Sequence, residues 1–202
     1  MLVHFLRLFF LFTSIIPYQN NFEKEKRKMI EICVEIANPM KANERGILLS
    51  EWIGLPINLE EFQEALTAID AVEGEYIISG SNTQNFDIPI DPFTNLWELN
   101  DLVKRIEEVD EDEHYKLAAL IELAAPRDFD SIYRIIDHLD EYDFLSEIQD
   151  DYALGRYFAI DCNMLHGTPE HLKYYFHFES FGFSMKLKHG IKYTSLGAIY
   201  RK

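Results

Sequence analysis

Carboxylate side chains are the chemically functional groups that stand out in this sequence, both in their number and in their clustering. The chain has 35 Asp and Glu residues against 19 Lys and Arg, which gives a formal net charge of −16. Thirty of the carboxylates lie in residues 29–151 with only seven basic residues. Self-repulsion of this size disfavours a compact state, and solubility needs far less charge. The middle of the chain is therefore predicted to present a dedicated acidic surface.

The candidate surface is distributed along the chain and has no single centre. Each predicted helix has a narrow apolar stripe and turns its carboxylates to water. One such cluster alone is typical of a solvated helix face, and only the sum favours a partner-binding surface. Its predicted members are Glu60, Glu61, Glu64, Glu107, Glu108, Asp110, Glu111, Asp112, Glu113, Asp137, Asp140, Glu141, Asp143, Glu147, Asp150 and Asp151.

No motif in the sequence supports an enzymatic or metal-dependent function. The chain has no Gly-rich phosphate loop, no GxSxG and no HExxH. The spacing of His166, His171 and His177 does not place them on one helical face. The acidic run at 110–113 lacks the Gly and the spaced ligands of a calcium loop. We therefore expect a protein that is not an enzyme and uses no metal or other cofactor.

The first 28 residues differ from the rest of the chain. The apolar stretch at 2–16 is interrupted and shorter than the roughly 20 apolar residues of a membrane span. We expect residues 1–28 to be a leader or a mis-assigned start outside the fold, with a genuine export or anchor segment as the alternative. Cys33 and Cys162 fit no metal or CxxC spacing, so we expect two buried free thiols in a reducing, cytoplasmic compartment.

Apolar periodicity predicts the elements that must position the carboxylates, beginning with a sheet and a helix in residues 29–92. Alternating apolar residues up to Ile36 indicate a strand that ends in a loop at Asn38–Pro39. Asn58, with Glu61 three residues later, is typical of a capped helix start.

The rest of the chain is predicted to form two further small domains. Residues 93–151 should be an acidic helical domain, opened by Asn95 and with a helix ended by Pro126. Residues 152–202 should contain a helix capped by Thr168, followed by a hairpin whose first strand alternates over 181–187. The predicted fold class is thus α+β, elongated, in three small domains.

Three places in the sequence together resemble the ArdA family of antirestriction proteins. Gly46–Pro56 is similar to the family's early segment with Glu-Trp and Leu-Pro elements. Glu75–Ile78 and Asn95–Asn100 are similar to its Tyr-x-Ile strand and its Leu-x-Glu-Leu-Asn helix opening. Tyr174–Gly182 and Thr194–Tyr200 are similar to its closing elements. The order and spacing of these segments match the family over nearly all of residues 29–202.

The resemblance implies an elongated, acidic, three-domain protein of mobile genetic elements, commonly a dimer, that occupies the DNA groove of type I restriction-modification enzymes. The last domain of the family is usually acidic, whereas here His177 replaces an acidic position and the end is basic. The basic residues are Lys186, Lys188, Lys192, Arg201 and Lys202. We expect this domain to serve mainly in self-association.

The function expected from sequence is antirestriction by a DNA mimic that fills the DNA-binding channel of a type I restriction-modification enzyme. The partner is then a protein, with no membrane involved, and the acidic segment is not expected to bind nucleic acid because phosphate contacts require Lys and Arg. The alternative is an acidic protein–protein interaction adaptor without DNA mimicry. High salt should weaken channel occupancy steeply and should leave apolar docking in place.

Overall fold

The fold combines helices with two antiparallel sheets, which confirms the predicted α+β class. The computed structural model describes residues 31–72 and 74–202, and the predicted leader at 1–28 lies outside them. The strands are β1 Ile32–Ala42, β2 Leu48–Leu55, β3 Ile77–Asn82, β4 Tyr142–Ser146, β5 Lys192–Tyr193 and β6 Gly197–Arg201. The helices are α1 Leu59–Ala68, α2 Leu96–Glu107, α3 His114–Glu122, α4 Phe129–Asp137, α5 Asp151–Arg156, α6 Glu170–Lys173 and α7 Phe178–His189.

The first sheet has the strand order β2-β1-β3, all antiparallel. The predicted alternation in β1 is confirmed, since Ile32, Val34 and Ile36 are fully buried. The predicted loop at Asn38–Pro39 is wrong, because β1 continues to Ala42 through a bulge. The Asn38 amide holds the strand there by donating to the backbone carbonyls of Ile69 and Asp70, at 3.2 and 2.6 Å.

The helix α1 begins at Asn58 with the predicted capping box. The Asn58 side chain accepts from the backbone N–H of Glu61 at 3.0 Å, and the Glu61 carboxylate accepts from the backbone N–H of Asn58 at 3.0 Å. Phe62 on its inner face is fully buried and meets Tyr76 and Trp97 edge-on. This aromatic cluster packs α1 against the start of α2.

The helices α2, α3 and α4 bury the apolar stripes that the sequence predicts and share one core with the first sheet. Leu99, Ile106 and Ile132 are fully buried within it. The same core reaches from Ile32 on β1 to Ile199 on β6. Apolar contacts run across the expected domain boundaries. The division into three small domains stays a prediction.

The second sheet has the order β4-β6-β5 and draws strands from both sides of residue 151. β4 follows the helices of the middle region directly and pairs antiparallel with β6 at the end of the chain. The turn between β5 and β6 is closed by the buried Thr194 hydroxyl, which donates to the carbonyl of Gly197 at 2.9 Å. The end of the chain is therefore built into the acidic middle region.

The strand predicted over 181–187 is wrong, because these residues lie within the helix α7. The reason is a close helix contact that periodicity does not reveal. A Cβ on Gly182 would lie 1.8 Å from the backbone oxygen of Asp151, and a Cβ on Gly155 would lie 1.8 Å from that of Phe178. Two glycines thus let α5 and α7 touch through their backbones.

The predicted cap at Thr168 is also wrong. The helix α6 begins at Glu170 with Pro169 in the capping position, and no side chain there accepts from its first turn.

The α5–α7 contact predicts a strong effect of adding one methyl group at Gly182. We expect Gly182→Ala to lower the free energy of unfolding by about 2 kcal/mol or more, because the added Cβ overlaps a backbone that cannot move freely. A Cβ on Gly54 meets no atom within 4 Å, so Gly54→Ala should stay within about 0.5 kcal/mol of the parent. Urea unfolding of both variants measures the difference, and equal midpoints would contradict the close contact.

Candidate functional site

Most of the predicted surface carboxylates are exposed to solvent. Eleven of the sixteen are exposed and five are partly buried. The exposed ones are Glu60, Glu61, Glu64, Glu108, Asp110, Glu111, Asp112, Asp137, Asp140, Glu147 and Asp150. The partly buried ones are Glu107, Glu113, Glu141, Asp143 and Asp151. The carboxylates thus divide into a group that can meet a partner and a group that is built into the fold.

Seven of the exposed carboxylates make neither an ion pair nor a side-chain hydrogen bond with any residue in 31–72 or 74–202. They are Glu60, Glu64, Asp110, Glu111, Asp112, Asp140 and Glu147. No side chain in the described residues neutralises these seven carboxylates. Their negative charge is therefore available to a cationic partner.

The acidic run at 110–113 is positioned by the start of α3. Glu111–Glu113 form a single helical turn that leads directly into this helix. Carboxylates at a helix N-terminus are stabilised by the helix dipole, so this arrangement also favours α3. The imidazole Nε2 of His114 lies 2.9 Å from the carbonyl of Val109 and ties the run back to α2. Glu113 forms an ion pair with Lys116. The other three acids of the run, at 110–112, are exposed to solvent.

A second group of carboxylates lies along the seam between α2 and α4. The Arg105 guanidinium donates to Glu108 on its own helix at 2.8 Å and to Asp137 on α4 at 3.1 Å. Burial raises the pKa of Tyr133 in this seam, and the charges of Asp101 and Glu98 raise it further. These two carboxylates therefore lie near the same tyrosine.

Sequence reasoning missed three carboxylates of this seam. They are Glu98, Asp101 and Asp130, all of them exposed. The signal that would have found two of them is the three-residue spacing of Glu98 and Asp101, which places them side by side on the outer face of α2. Asp130 lies in the first turn of α4, and its charge also raises the pKa of Tyr133.

The basic end of the chain neutralises part of the predicted acidic surface. Three ion pairs join C-terminal cations to carboxylates in 141–151. The pairs are Arg201–Glu141 at 2.5 Å, Lys202–Asp143 at 3.5 Å and Lys186–Asp151 at 3.0 Å. The basic excess of the last 51 residues is thus partly used within the fold.

Hydrogen bonds to these carboxylates fix their ionised form. The Tyr193 hydroxyl donates to Asp151 at 2.7 Å and lowers the pKa of that carboxyl, with Lys186 adding to the effect. The Arg201 guanidinium lowers the pKa of Glu141 in the same way. Burial and a hydrogen bond to Asp143 raise the pKa of Tyr200 to about 12. The region therefore keeps charged carboxylates beside neutral phenols.

The segments that carry the family resemblance meet in the core. The fully buried Asn100 side chain accepts from the backbone N–H of Ile57 at 2.7 Å and donates to the Ile57 carbonyl at 3.1 Å. Ile57 directly follows the Leu-Pro element, and Asn100 ends the Leu-x-Glu-Leu-Asn element. One amide thus joins the segment that follows β2 to the helix α2.

The histidines and cysteines are the other side chains that the sequence singled out for metal or thiol chemistry. No group of three or more His, Cys, Asp or Glu residues in 31–72 and 74–202 could hold a metal ion. His166, His171 and His177 are all exposed. Cys33 is half-buried, and burial raises the pKa of its thiol. The expectation of two buried thiols is wrong for Cys162, which is exposed.

No helix among the described residues is long and apolar enough to cross a lipid bilayer.

The fold and the surface define an acidic α+β protein whose exposed carboxylates lie on and between helices that share one core with the first sheet. A family model described as "Antirestriction protein (ArdA)" matches residues 36–200. The chain belongs to the ArdA family of antirestriction proteins. No curated protein matches the chain. The match includes every segment that carries the resemblance.

The Asn100 bridge predicts a large loss of stability on truncation. We expect Asn100→Ala to lower the free energy of unfolding by about 3 kcal/mol, since both backbone groups of Ile57 would stay buried without a partner. Asn85 is exposed, so Asn85→Ala should change the free energy by no more than about 0.5 kcal/mol. Chemical denaturation gives both values. A mild Asn100→Ala effect would mean that the bridge does not join the two regions.

Proposed function

We propose that this protein inhibits type I restriction-modification enzymes as a DNA mimic that occupies their DNA-binding channel. The family establishes antirestriction. The observation that carries the mechanism is the set of seven exposed carboxylates with neither an ion pair nor a side-chain hydrogen bond in the described chain. The protein acts by binding and not by catalysis, and its site of action is the cytoplasm, where restriction enzymes meet incoming DNA.

The amount of negative charge suits a short stretch of duplex. DNA carries one charge per about 1.7 Å of helix axis. Residues 29–151 carry thirty acidic and seven basic residues, and the C-terminal cations compensate three of these acids. About twenty net charges along one face would equal the phosphates of roughly ten base pairs. The net charge of the acidic region therefore suits the DNA-binding channel of one enzyme and is too small to replace a long stretch of duplex.

Carboxylates can replace phosphates in such a channel because both are oxyanions that accept from Arg and Lys. The folded backbone holds the attachment points of the exposed carboxylates in place, so the ordering cost on binding is confined to their side chains. They offer no base edges, so they compete at general DNA-binding clefts and not at sequence-reading surfaces.

We propose in addition that the protein acts as a homodimer joined through the C-terminal region. The support is an exposed aromatic surface around α6, where Tyr174 and Tyr175 are 85% and 80% exposed. A groove of about 530 Å³ lies beside it and is lined by Tyr152, Tyr174 and Phe178 among others. Exposed apolar patches of this kind mark interaction sites.

Removal of several unpaired carboxylates should abolish antirestriction where single removals do not. We expect the combined variant of Asp110, Glu111, Asp112 and Asp140, each changed to its amide, to lose about tenfold or more in protection of unmodified phage DNA. Each single change should cost about twofold or less, because the charge is distributed. Phage plating on a host with a type I system measures the protection.

A control with the same charge change separates the proposed surface from net charge. Glu44, Glu75, Asp161 and Glu179 are exposed and lie outside the predicted set, so their fourfold amide variant should protect nearly as well as the parent. Equal losses in the two fourfold variants, or complete loss from one single change, would contradict a distributed mimic.

Salt distinguishes channel occupancy from the acidic adaptor. We expect the affinity for a purified type I enzyme to fall by about tenfold or more between about 50 and about 200 mM salt, because the contacts are between charges. Isothermal titration at several salt concentrations gives the slope. An affinity that hardly changes would favour apolar docking and would contradict the proposed mechanism.

A further inference from the structure

The outer edge of β2 is open in the described chain. In the order β2-β1-β3, no strand among residues 31–72 and 74–202 pairs with its far side. Proteins usually protect such edges with Lys, Pro or a covering segment, because unpaired N–H and C=O groups attract another strand. β2 is eight residues long and contains Glu51 as its one charged residue, with no Lys and no Pro. Its edge is therefore a ready template for strand addition.

A groove runs between this edge and α1. It has a volume of about 540 Å³. The β2 side of its lining is formed by Glu51–Gly54, with Pro56 and Ile57, and the α1 side by Glu61, Glu64, Ala65 and Ala68. The two alanines leave room beside the strand, which larger side chains at these positions would fill.

The lining of the groove selects for positive charge. It contains three carboxylates, on Glu51, Glu61 and Glu64, and no Lys or Arg. Neither Glu51 nor Glu64 forms an ion pair with any described residue, and Glu61 accepts from the backbone N–H of Asn58. An acidic segment or a nucleic acid would be repelled by this wall.

The two faces of the sheet differ at this edge. Ile53 and Leu55 point into the core beneath α1 and are 6% and 3% exposed, whereas Trp52 points to the outer face and is 52% exposed. Side chains of an added strand would alternate in the same way. Every second residue would face the carboxylates of α1, and the residues between them would pack beside Trp52.

We propose that this groove binds an extended, basic segment of a partner protein, which adds to β2 as a further strand. Backbone hydrogen bonds supply affinity, and alternate Lys or Arg side chains facing Glu61 and Glu64 supply specificity. The proposal does not depend on DNA mimicry, because it needs an open strand edge and a narrow groove and not a broad acidic face.

The test uses the full chain and a synthetic peptide that alternates Lys with Val over about eight residues, to match β2. Fluorescence anisotropy of the labelled peptide gives its affinity. A peptide with Glu in place of Lys should not bind. The same Lys-Val peptide with every backbone nitrogen methylated should bind about tenfold more weakly or worse, because it has no N–H group left to donate to a ladder. Hydrogen exchange should slow at the amides of β2 when the parent peptide is bound.

Two neighbouring substitutions on α1 provide the matched pair. Glu64 lines the groove and Glu60 does not, although both are exposed on the same helix. Glu64→Lys should weaken peptide binding by about tenfold, and Glu60→Lys by about twofold or less. Ala68→Phe should also weaken binding, since it fills the groove without changing charge.

The proposal would be overturned by any of four results. These are no binding of the Lys-Val peptide, equal binding of the methylated peptide, equal effects of Glu64→Lys and Glu60→Lys, or unchanged exchange in β2. In antirestriction, by contrast, the two lysine substitutions should behave alike, because both glutamates belong to the proposed acidic surface. The two proposals can therefore fail separately.

Discussion

Repulsion among the carboxylates of the middle region is the constraint on which the rest of the fold depends. Thirty acidic and seven basic residues share residues 29–151, and folding brings these charges closer together than they are in the unfolded chain. A continuous apolar core opposes this repulsion, and Phe62, Ile106 and Ile121 are fully buried within it. The helices can therefore carry narrow apolar stripes and still present acids on their outer faces.

Three of the cations lie where elements meet and where repulsion would otherwise separate them. Arg105 bridges carboxylates of α2 and α4. Arg201 and Lys202, at the end of β6, lie against carboxylates at the start of β4, so that charge attraction and strand pairing reinforce each other. The basic C-terminal region thus supports the acidic surface structurally, and the acids it leaves unpaired are the ones proposed to meet the restriction enzyme.

Local signals predicted the elements that local interactions form. The cap at Asn58 and the stripe through Leu99 and Ile106 were recognisable because cap and stripe lie within one helix. The helix α7 was mistaken for a strand because its contact through Gly155 and Gly182 joins residues distant in sequence. β4 was missed for the same reason, since its partner β6 closes the chain.

The site shows the same division between local and distant interactions. Exposure of acids on a helix follows from their position beside an apolar stripe, and eleven of the sixteen predicted carboxylates are exposed. The ion pairs of Glu141, Asp143 and Asp151 depend on the return of the C-terminal strand and helix, so the sequence alone could not separate them from the free acids.

The most direct test of the central claim is a competition between this protein and DNA for one purified type I restriction-modification enzyme. The apparent dissociation constant for a short DNA duplex is measured at increasing concentrations of the protein. Occupancy of the DNA channel predicts that this constant rises linearly with protein concentration, without a plateau and with no ternary complex. A plateau, or a complex that contains enzyme, DNA and this protein together, would contradict DNA mimicry.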